Sequence, residues 1–282
     1  MPESTCKVRL VQFNPRLGGV QDNLRRHLET IDEAAAAGRD LVIFPELSLT
    51  GYYLRDLVSQ VSLTTDSPEF RALCEASRKV DVVFGFVEET PSYDLYCTGA
   101  YLARGEVRHL HRKVYLPTYG MFDEGRYLTP GGKLETFTTP WGPMGLLICE
   151  DLWHPSAPYV LSRRGMDALL VISASPLRGV EPGGLAIAQT YEQMLSLYAN
   201  LFQCFVVFCN RAGVEDGVTF WGGSRAVSPA TGQMAVAPLM EETYLDVDLD
   251  RAHLRMARMA TPLLADERLD VTLRALEGIW RE

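Results

Sequence analysis

Short apolar runs recur along the chain between polar segments that are rich in helix-forming residues. The runs at residues 8–13 and 41–44 predict two buried strands. Between them, Leu24, Leu28 and Ile31 lie at helical spacing and Gly38 follows, so residues 22–37 are predicted to form a helix. This strand–helix–strand order indicates a crossover connection in a sheet that helices cover.

The same pattern continues and predicts an α/β fold. Strands are predicted at residues 80–87, 98–102, 145–149, 168–173 and 205–210, and a helix at about residues 185–201. Residues 221–248 alternate apolar runs with Gly and Pro, which is typical of antiparallel strands and turns. The last thirty residues combine helical and extended patterns. No linker-like segment or repeat interrupts the chain, which indicates a single domain over residues 1–282.

The composition is that of an ordinary globular protein. Hydrophobic residues make up 47% of the chain and charged residues 22%, so a sizeable core is expected. The formal net charge of -9 disfavours non-specific binding to nucleic acid or to an anionic membrane. The amino terminus does not resemble a secretory signal, and no apolar run reaches the roughly 18 residues of a membrane span. A cytoplasmic location is therefore expected.

The cysteines do not indicate a metal site or a disulfide framework. They form no Cys-x-x-Cys pair, and the five histidines do not cluster around them. Most free cysteines are small buried apolar residues. Cys149 differs in its position, because it ends an apolar run where α/β sheets usually carry their sites. The six cysteines are Cys6, Cys74, Cys97, Cys149, Cys204 and Cys209.

Two further residues complete a candidate reaction centre. Glu46 also follows an apolar run, and Lys113 lies in a basic triplet. Taken singly, these residues also fit a solvated strand end, a solvated loop and, for Cys149, an inert core thiol. Together they fit one mechanism, in which a carboxylate takes the thiol proton and a lysine favours the thiolate and stabilises an oxyanion.

Three segments resemble the signature blocks of the nitrilase, or carbon–nitrogen hydrolase, superfamily. They are residues 44–52 (FPELSLTGY), 111–117 (HRKVYLP) and 147–151 (LICED), and they occur in the order that the family shows. Weaker likenesses at residues 11–15, 122–127, 210–213 and 221–224 extend the resemblance over nearly the whole chain.

The resemblance implies a fold and a set of catalytic residues. The expected fold is a four-layer α-β-β-α sandwich, paired through its helices into a homodimer or larger homo-oligomer. The implied triad is Glu46, Lys113 and Cys149, without a cofactor or metal. Glu124 matches a second glutamate that often supports the site in this family, although a surface carboxylate beside Asp123 is the alternative.

A narrower resemblance concerns the substrate. Residues 149–153 (CEDLW), 51–57 (GYYLRDL), 119–124 (YGMFDE) and 172–176 (ISASP) resemble the glutaminase domain of glutamine-dependent NAD synthetases. It implies that Tyr119, Glu150 and Ser175 hold the amino-acid end of glutamine, with Tyr52 also binding substrate.

The role of Glu150 has more than one interpretation. A carboxylate at this position can pair with a substrate ammonium. Alternatively, Glu150 caps a turn or pairs with Arg112 or Arg163.

These features predict a cysteine-dependent hydrolase that releases ammonia from a small linear amide, with a glutamine-like ω-amide favoured. The synthetases continue into an ATP-using domain with a glycine-rich pyrophosphate loop, which residues up to Glu282 do not contain. The chain is therefore not expected to make NAD alone, and it would either supply ammonia to a separate partner or act in its own right. The alternatives are a nitrilase, an N-carbamoyl amide hydrolase, an acyltransferase, which usually carries membrane spans in this family, or a non-catalytic binding or scaffold protein.

Overall fold

Strands form the two inner layers of the protein, whose computed structural model describes residues 3–181 and 184–282. The strands in these residues are β1 (Thr5–Gln12), β2 (Leu41–Ile43), β3 (Asp81–Glu89), β4 (Leu95–Ala103), β5 (Glu106–Arg112), β6 (Thr136–Thr139), β7 (Gly142–Ile148), β8 (Ala168–Ser173), β9 (Val180–Glu181), β10 (Gly184–Leu185), β11 (Phe205–Asn210), β12 (Ala212–Glu215), β13 (Val218–Trp221), β14 (Arg225–Ser228), β15 (Gly232–Val236) and β16 (Thr243–Asp250). The helices are α1 (Val20–Ala36), α2 (Val58–Val61), α3 (Pro68–Ala76), α4 (Ser156–Arg163), α5 (Ala186–Leu201), α6 (Arg251–Ala260), α7 (Leu263–Asp266) and α8 (Leu269–Arg281). Short 3-10 helices lie at Arg55–Leu57, Glu124–Arg126 and Cys149–Trp153.

The main strands form two six-stranded mixed sheets. Their orders are β16-β1-β2-β3-β4-β5 and β15-β14-β11-β8-β7-β6. Strands β1, β2 and β3 run parallel in the first sheet, as do β7, β8 and β11 in the second. Antiparallel strands complete both edges.

The alternation of side chains along the strands explains why the sheets are covered on both faces. Leu41 and Ile43 of β2 pack in the core between the sheets, together with Leu170 and Ile172 of β8. Val42, between the first two, packs on the opposite face. Successive side chains of a strand point to opposite faces, so a strand that is apolar at every position requires cover on both sides.

Helices provide this cover. Ile31 of α1 and Phe70 of α3 pack with Val42 on the first sheet. Leu161 of α4 and Leu195 of α5 pack on the outer face of the second sheet. The layers are therefore helix, sheet, sheet and helix, which confirms the predicted α-β-β-α sandwich.

The predicted elements agree with the structure in the first two hundred residues, with small differences at their ends. The strand predicted at residues 80–87 is β3, which begins one residue later and ends two residues later. The strand predicted at residues 98–102 is β4, which is longer at both ends, and the helix predicted from about residue 185 begins at Ala186. The predicted antiparallel region at residues 221–248 contains β14, β15 and β16.

The prediction of an extended stretch in the last thirty residues was wrong. The chain there forms most of α6, then α7 and α8, joined by short connections. Helix α8 has an amphipathic pattern but no buried residue. Its apolar side chains therefore do not pack into a core, and packing against a core is what an amphipathic pattern usually indicates.

Within the described parts of the chain, no helix is long and apolar enough to cross a membrane. Nor do the described His, Cys, Asp and Glu side chains form a group of three or more that could hold a metal ion.

Candidate active site

Glu46 lies in a turn shortly after β2 and is completely buried. Its Oε2 atom accepts a hydrogen bond from the backbone N–H of Ala174 at 2.7 Å, and its Oε1 atom lies 2.7 Å from Nζ of Lys113. Gly85 leaves room for this turn, since a Cβ atom there would lie 2.3 Å from the backbone nitrogen of Leu47. Glu46 is therefore a buried, paired carboxylate, and the interpretation as a solvated strand end is wrong.

Lys113 follows β5 and places a buried ammonium between two carboxylates. Its Nζ atom donates to Oε1 of Glu46 and to Oε1 of Glu124, both at 2.7 Å. Burial alone would lower the pKa of Lys113, but the charges of Glu124 and Glu46 outweigh burial and hold the pKa well above its ordinary value. Lys113 thus supplies a permanent positive charge inside the protein, and the interpretation as a solvated loop residue is wrong.

Glu124 begins the 3-10 helix Glu124–Arg126 and is also buried. Its Oε1 atom accepts hydrogen bonds from Lys113 and from the hydroxyl of Tyr52. Its Oε2 atom is buried and has no hydrogen-bond partner among the described residues. Burial raises the pKa of Glu124 to about 7, although Lys113 opposes the rise. The neighbouring Asp123 is exposed, so the surface-carboxylate interpretation describes Asp123 and not Glu124.

Cys149 begins the 3-10 helix that follows β7, and its φ of 43° lies in the left-handed region. Such a conformation costs a non-glycine residue about 1–3 kcal/mol and concentrates at functional sites. The hydroxyl of Ser173 donates to Sγ at 3.3 Å, and the hydroxyl of Tyr191 lies 3.7 Å from it. Burial and the charge of Glu46 raise the pKa of Cys149 to about 12, while Lys113 acts in the opposite direction. In the free protein this sulfur is therefore a protonated thiol.

A buried carboxylate ties the turns of Lys113 and Cys149 together. Asp151 accepts from the backbone N–H groups of Val114 and Tyr115 at 2.9 and 3.0 Å, next to Lys113. It also accepts from the backbone N–H of Ile148 at 3.1 Å, beside Cys149, and lies 2.7 Å from Nε2 of His111. The sequence analysis missed this role, because an acidic residue two positions after Cys149 gives no local sign of burial.

Tyr119 and Glu150, two of the predicted substrate-binding residues, are in contact. The hydroxyl of Tyr119 lies 2.9 and 3.1 Å from the two carboxylate oxygens of Glu150. The suggested pairing of Glu150 with Arg112 or Arg163 is wrong. The first arginine binds Glu88, and the second donates to a backbone carbonyl.

The described hydrogen bonds do not join Ser175 to this pair. Its backbone N–H donates to Oδ1 of Asn210 at 2.9 Å, and the side chain is buried. Ser175 follows Ala174, which binds Glu46, so it lies near the acidic end of the cluster.

An arginine that the sequence analysis did not identify lies at the same end of the site. The guanidinium of Arg178 lies 5.9 Å from the ring centre of Tyr119 and 5.1 Å from that of Phe122. Its Nε atom is buried and has no hydrogen-bond partner among the described residues. A cation and a carboxylate therefore both lie beside Tyr119, because the tyrosine contacts Glu150 and Arg178.

A cavity of about 270 Å³ adjoins the charged cluster. It touches the cluster through Tyr52 and Glu124. Most of its other lining residues are apolar, Leu54 and Val58 among them, and the charged Arg55 and Asp123 line it as well. Ligand pockets commonly begin at about 300 Å³, so this volume suits a small molecule.

Comparison with known proteins identifies the family. Residues 7–259 match the model of the carbon-nitrogen hydrolase family. The chain is 33% identical over 249 residues to the glutamine-dependent NAD(+) synthetase of Thermotoga maritima, covering 86% of this chain and 42% of that protein. It is 32% identical over 248 residues to the enzyme of the same name from Acinetobacter baylyi, covering 87% of this chain and 44% of that protein.

Solved structures agree with these relatives. A glutamine-dependent NAD+ synthetase from Acinetobacter baumannii superposes with a TM-score of 0.80 at 31% identity, over 89% of this chain and 46% of that one. An amidase of the nitrilase superfamily from Nesterenkonia, solved as a point mutant, gives a TM-score of 0.80 at 25% identity, over 96% of this chain and 97% of that one. A carbon-nitrogen hydrolase from Helicobacter pylori, at 22% identity and a TM-score of 0.83, shows the same fold.

The chain belongs to the carbon–nitrogen hydrolase family of the nitrilase superfamily and is a carbon–nitrogen hydrolase. Within this family it is homologous to the glutaminase domain of glutamine-dependent NAD synthetases, as its motifs predicted. It spans less than half the length of the two synthetase relatives named above.

Proposed function

We propose that the protein hydrolyses a small linear amide through a thioester on Cys149 and releases ammonia. One observation carries the proposal, namely the buried Lys113 ammonium that lies 2.7 Å from each of two buried carboxylates. Burying three charged groups is costly unless they are paired, and sites for acid–base chemistry are where such clusters concentrate. The charges of Glu46 and Lys113 also act on the thiol of Cys149, which links the cluster to a nucleophile.

In the first half of the reaction, Cys149 attacks the amide carbon. Its S–H proton moves to the carboxylate of Glu46 as the S–C bond forms, because the thiol is protonated before substrate binds. The carbonyl electron pair moves to oxygen, where Lys113 and the backbone N–H of Glu150 stabilise the negative charge. The proton on Glu46 then passes to the leaving nitrogen, the C–N bond breaks, and ammonia departs from the thioester.

In the second half, water hydrolyses the thioester. Glu46 takes a proton from the water as its oxygen attacks the carbonyl carbon. The C–S bond then breaks, its electron pair returns to sulfur, and the proton on Glu46 restores the thiol. The products are the carboxylic acid and ammonia. Glu124 accepts a hydrogen bond from Lys113 and another from Tyr52, so the tyrosine holds the carboxylate that in turn holds the lysine.

A glutamine-like ω-amide is the favoured substrate. Glu150 offers a carboxylate for a substrate ammonium, and Tyr119, which contacts it, keeps that carboxylate oriented. Arg178 offers a cation beside Tyr119 that could pair with a substrate carboxylate. The similarity to proteins named glutamine-dependent NAD(+) synthetases supports the same choice. We place Ser175 in this amino-acid subsite on the resemblance alone.

A simple amide is the second candidate, and two observations favour it. Most of the residues that line the cavity next to Glu124 are apolar, and the amidase from Nesterenkonia matches nearly the whole of this chain. Nitriles and N-carbamoyl compounds remain further alternatives, because the same triad would act on them. A non-catalytic scaffold is disfavoured, since it would gain nothing from keeping three buried charged groups beside a thiol.

We also propose that the protein forms a homodimer or larger homo-oligomer in the cytoplasm, and that a separate enzyme uses its ammonia. Helix α8 supports self-association because it exposes a row of apolar side chains, among them Leu276, Ile279 and Trp280. Sedimentation equilibrium tests the proposed self-association, and a monomer at all concentrations would contradict it.

An ammonia-release screen tests the proposed reaction. The panel contains glutamine, other ω-amides, simple aliphatic amides, N-carbamoyl compounds and aliphatic nitriles, and the Cys149→Ala protein is the control. Stoichiometric ammonia and acid from at least one amide, with none from the variant, is the expected result. Turnover of nitriles alone would replace the amidase proposal with a nitrilase.

A further inference from the structure

Two hydroxyl groups contact the sulfur of Cys149 in addition to the charged cluster. Ser173 donates to Sγ at 3.3 Å, and the hydroxyl of Tyr191 lies 3.7 Å from the same atom. Both side chains are buried, so bulk water does not compete for these hydrogen bonds. Tyr191 lies on helix α5, outside every motif that identified the family. The reaction steps proposed above use neither hydroxyl.

A third residue favours the tyrosine hydroxyl as the donor in its hydrogen bond with the sulfur. The indole Nε1 of Trp153 lies 3.2 Å from the hydroxyl of Tyr191. An indole N–H can only donate, so the tyrosine oxygen accepts this bond. The single phenolic proton is then free to point at Sγ. Hydrogen bonds donated to the sulfur favour its negatively charged form relative to a sulfur that lacks them.

We propose that Tyr191 is a further catalytic residue, which together with Ser173 donates a hydrogen bond to Cys149 and stabilises negative charge on its sulfur, and that Trp153 is a positioning residue for the tyrosine hydroxyl. The inference rests on Cys149 being the nucleophile, as proposed above. Charge develops on sulfur twice: when the S–H proton moves to Glu46, and when the C–S bond of the thioester breaks and its electron pair returns to sulfur.

The charged cluster by itself gives little stabilisation to negative charge on the sulfur, and the two hydroxyl donors supply it. Burial and the nearby carboxylate of Glu46 disfavour a thiolate, and the positive charge of Lys113 is shared between two carboxylates. A donor that is already oriented costs no reorganisation during the reaction. Neighbouring rings hold Tyr191 in its orientation, because its ring centre lies 4.7 Å from that of Phe208 and 5.6 Å from that of Trp153.

The test measures the reactivity of the sulfur separately from turnover. Iodoacetamide alkylates thiolates, and peptide mapping by mass spectrometry follows its rate at Cys149 across a pH series. Tyr191→Phe keeps the ring and removes only the hydroxyl. Loss of a hydrogen bond to a charged group should slow alkylation at neutral pH by about tenfold to a hundredfold and move the rate profile to higher pH. The value of kcat/KM should fall by a similar factor.

The remaining variants separate a hydrogen-bond effect from a packing effect. Ser173→Ala should act in the same direction as Tyr191→Phe, and Trp153→Phe should have a smaller effect of the same sign. Tyr101→Phe is the matched control, since this buried tyrosine donates instead to Asp81 at 2.6 Å. It should leave both the alkylation profile and the turnover unchanged. If Tyr191→Phe does not fold, Ser173→Ala and Trp153→Phe carry the test alone.

An unchanged alkylation profile in the folded variants would overturn the inference. A loss of turnover with unchanged alkylation would overturn it as well, because it would indicate a packing role for Tyr191. These outcomes differ from a failure of the proposed function, which would appear as turnover by Cys149→Ala whatever the alkylation profile shows, and which would overturn the catalytic role of Tyr191 with it.

Discussion

The Nζ atom of Lys113 lies 2.7 Å from Oε1 of Glu46, although the two residues are 67 positions apart in the chain. Glu46 follows β2, and Lys113 follows β5 of the same sheet. A second carboxylate, Glu124, lies equally close to the ammonium. The lysine thus carries the only positive charge in direct contact with these two carboxylates in the described structure, and the proposed stabilisation of the oxyanion depends on it.

Replacing Lys113 with methionine should therefore abolish most of the activity. The Lys113→Met variant keeps a stem of similar length but removes the charge that stabilises the oxyanion. Loss of one oxyanion donor typically costs about 10²- to 10³-fold in rate. The loss here should be larger, because the two carboxylates lose their counter-ion. Initial rates of ammonia release measure the effect.

Lys79→Met is the matched control for this variant. Lys79 pairs with Asp32 at 2.7 Å on the surface, with more than half of its side chain exposed, and it should be dispensable. Equal activity of the two variants would mean that Lys113 is only a structural charge.

Residues of this site could be predicted from the sequence only where they stood in a recognisable motif. Glu46, Lys113 and Cys149 stood in recognisable motifs, so they could be proposed together, although no spacing showed that the first two meet. Tyr191 gave no signal, because a tyrosine on an amphipathic helix is usually a packing residue. Its contact with sulfur depends on the packing of α5 against the second sheet.

The buried position of Asp151 was equally hidden from the sequence. An aspartate next to a glutamate is usually solvated, and only the folded chain shows that it accepts hydrogen bonds from two separate turns. The helices of the last thirty residues could not be predicted for a different reason. Helix α8 has no buried residue, so its apolar side chains do not mark a face that packs on the core.

Asp151→Asn should lower both stability and activity. The amide offers one acceptor oxygen where the carboxylate receives three backbone N–H groups and His111. An unsatisfied buried donor costs about 1–3 kcal/mol, and the turns of Lys113 and Cys149 should lose their fixed spacing. Urea unfolding and kcat/KM measure the two effects.

Asp167→Asn provides the comparison for Asp151→Asn. Asp167 is a buried carboxylate that pairs with Arg251 and Arg258, away from the proposed site. The Asp167→Asn variant should be less stable than the wild type, while its folded form keeps the wild-type kcat/KM. The assigned positioning role of Asp151 would be untenable if both variants lost only stability.

Glu124 should give the protein a pH-dependent stability. Its folded pKa is about 7, above the ordinary value of 4.5, so between these values the folded protein holds a proton that the unfolded chain has lost. Its contribution to the free energy of unfolding therefore becomes less favourable as the pH rises through this window, and it is constant below and above it. Glu124→Gln removes this dependence.

Urea unfolding of the wild type and of Glu124→Gln, at about pH 5 and about pH 8, checks the sign. The stability of the variant relative to the wild type should be higher at the higher pH. A difference that is the same at both values, or that has the opposite sign, would show that burial does not raise the pKa of Glu124.

Substrate choice should depend on Glu150. If its carboxylate pairs with a substrate ammonium, glutamine should outcompete its analogue that lacks the α-amino group. A charge-assisted hydrogen bond is worth roughly 1.5–3 kcal/mol, or about tenfold to a hundredfold in kcat/KM. Glu150→Gln should shrink this preference and leave simple aliphatic amides less affected. Asp123→Asn, a change at an exposed neighbouring carboxylate, is the control. An unchanged ratio would show that Glu150 does not recognise the amino group.

In the proposed mechanism, Cys149 carries the acyl group of the substrate as a thioester. Acid quenching during turnover of an amide found in the screen, followed by intact-mass and peptide mass spectrometry, detects this intermediate. We predict an adduct on Cys149 with the mass of the substrate minus ammonia, which forms and decays with turnover and is absent from Cys149→Ala. An adduct on another residue, or turnover by Cys149→Ala at a rate comparable with the wild type, would contradict the mechanism.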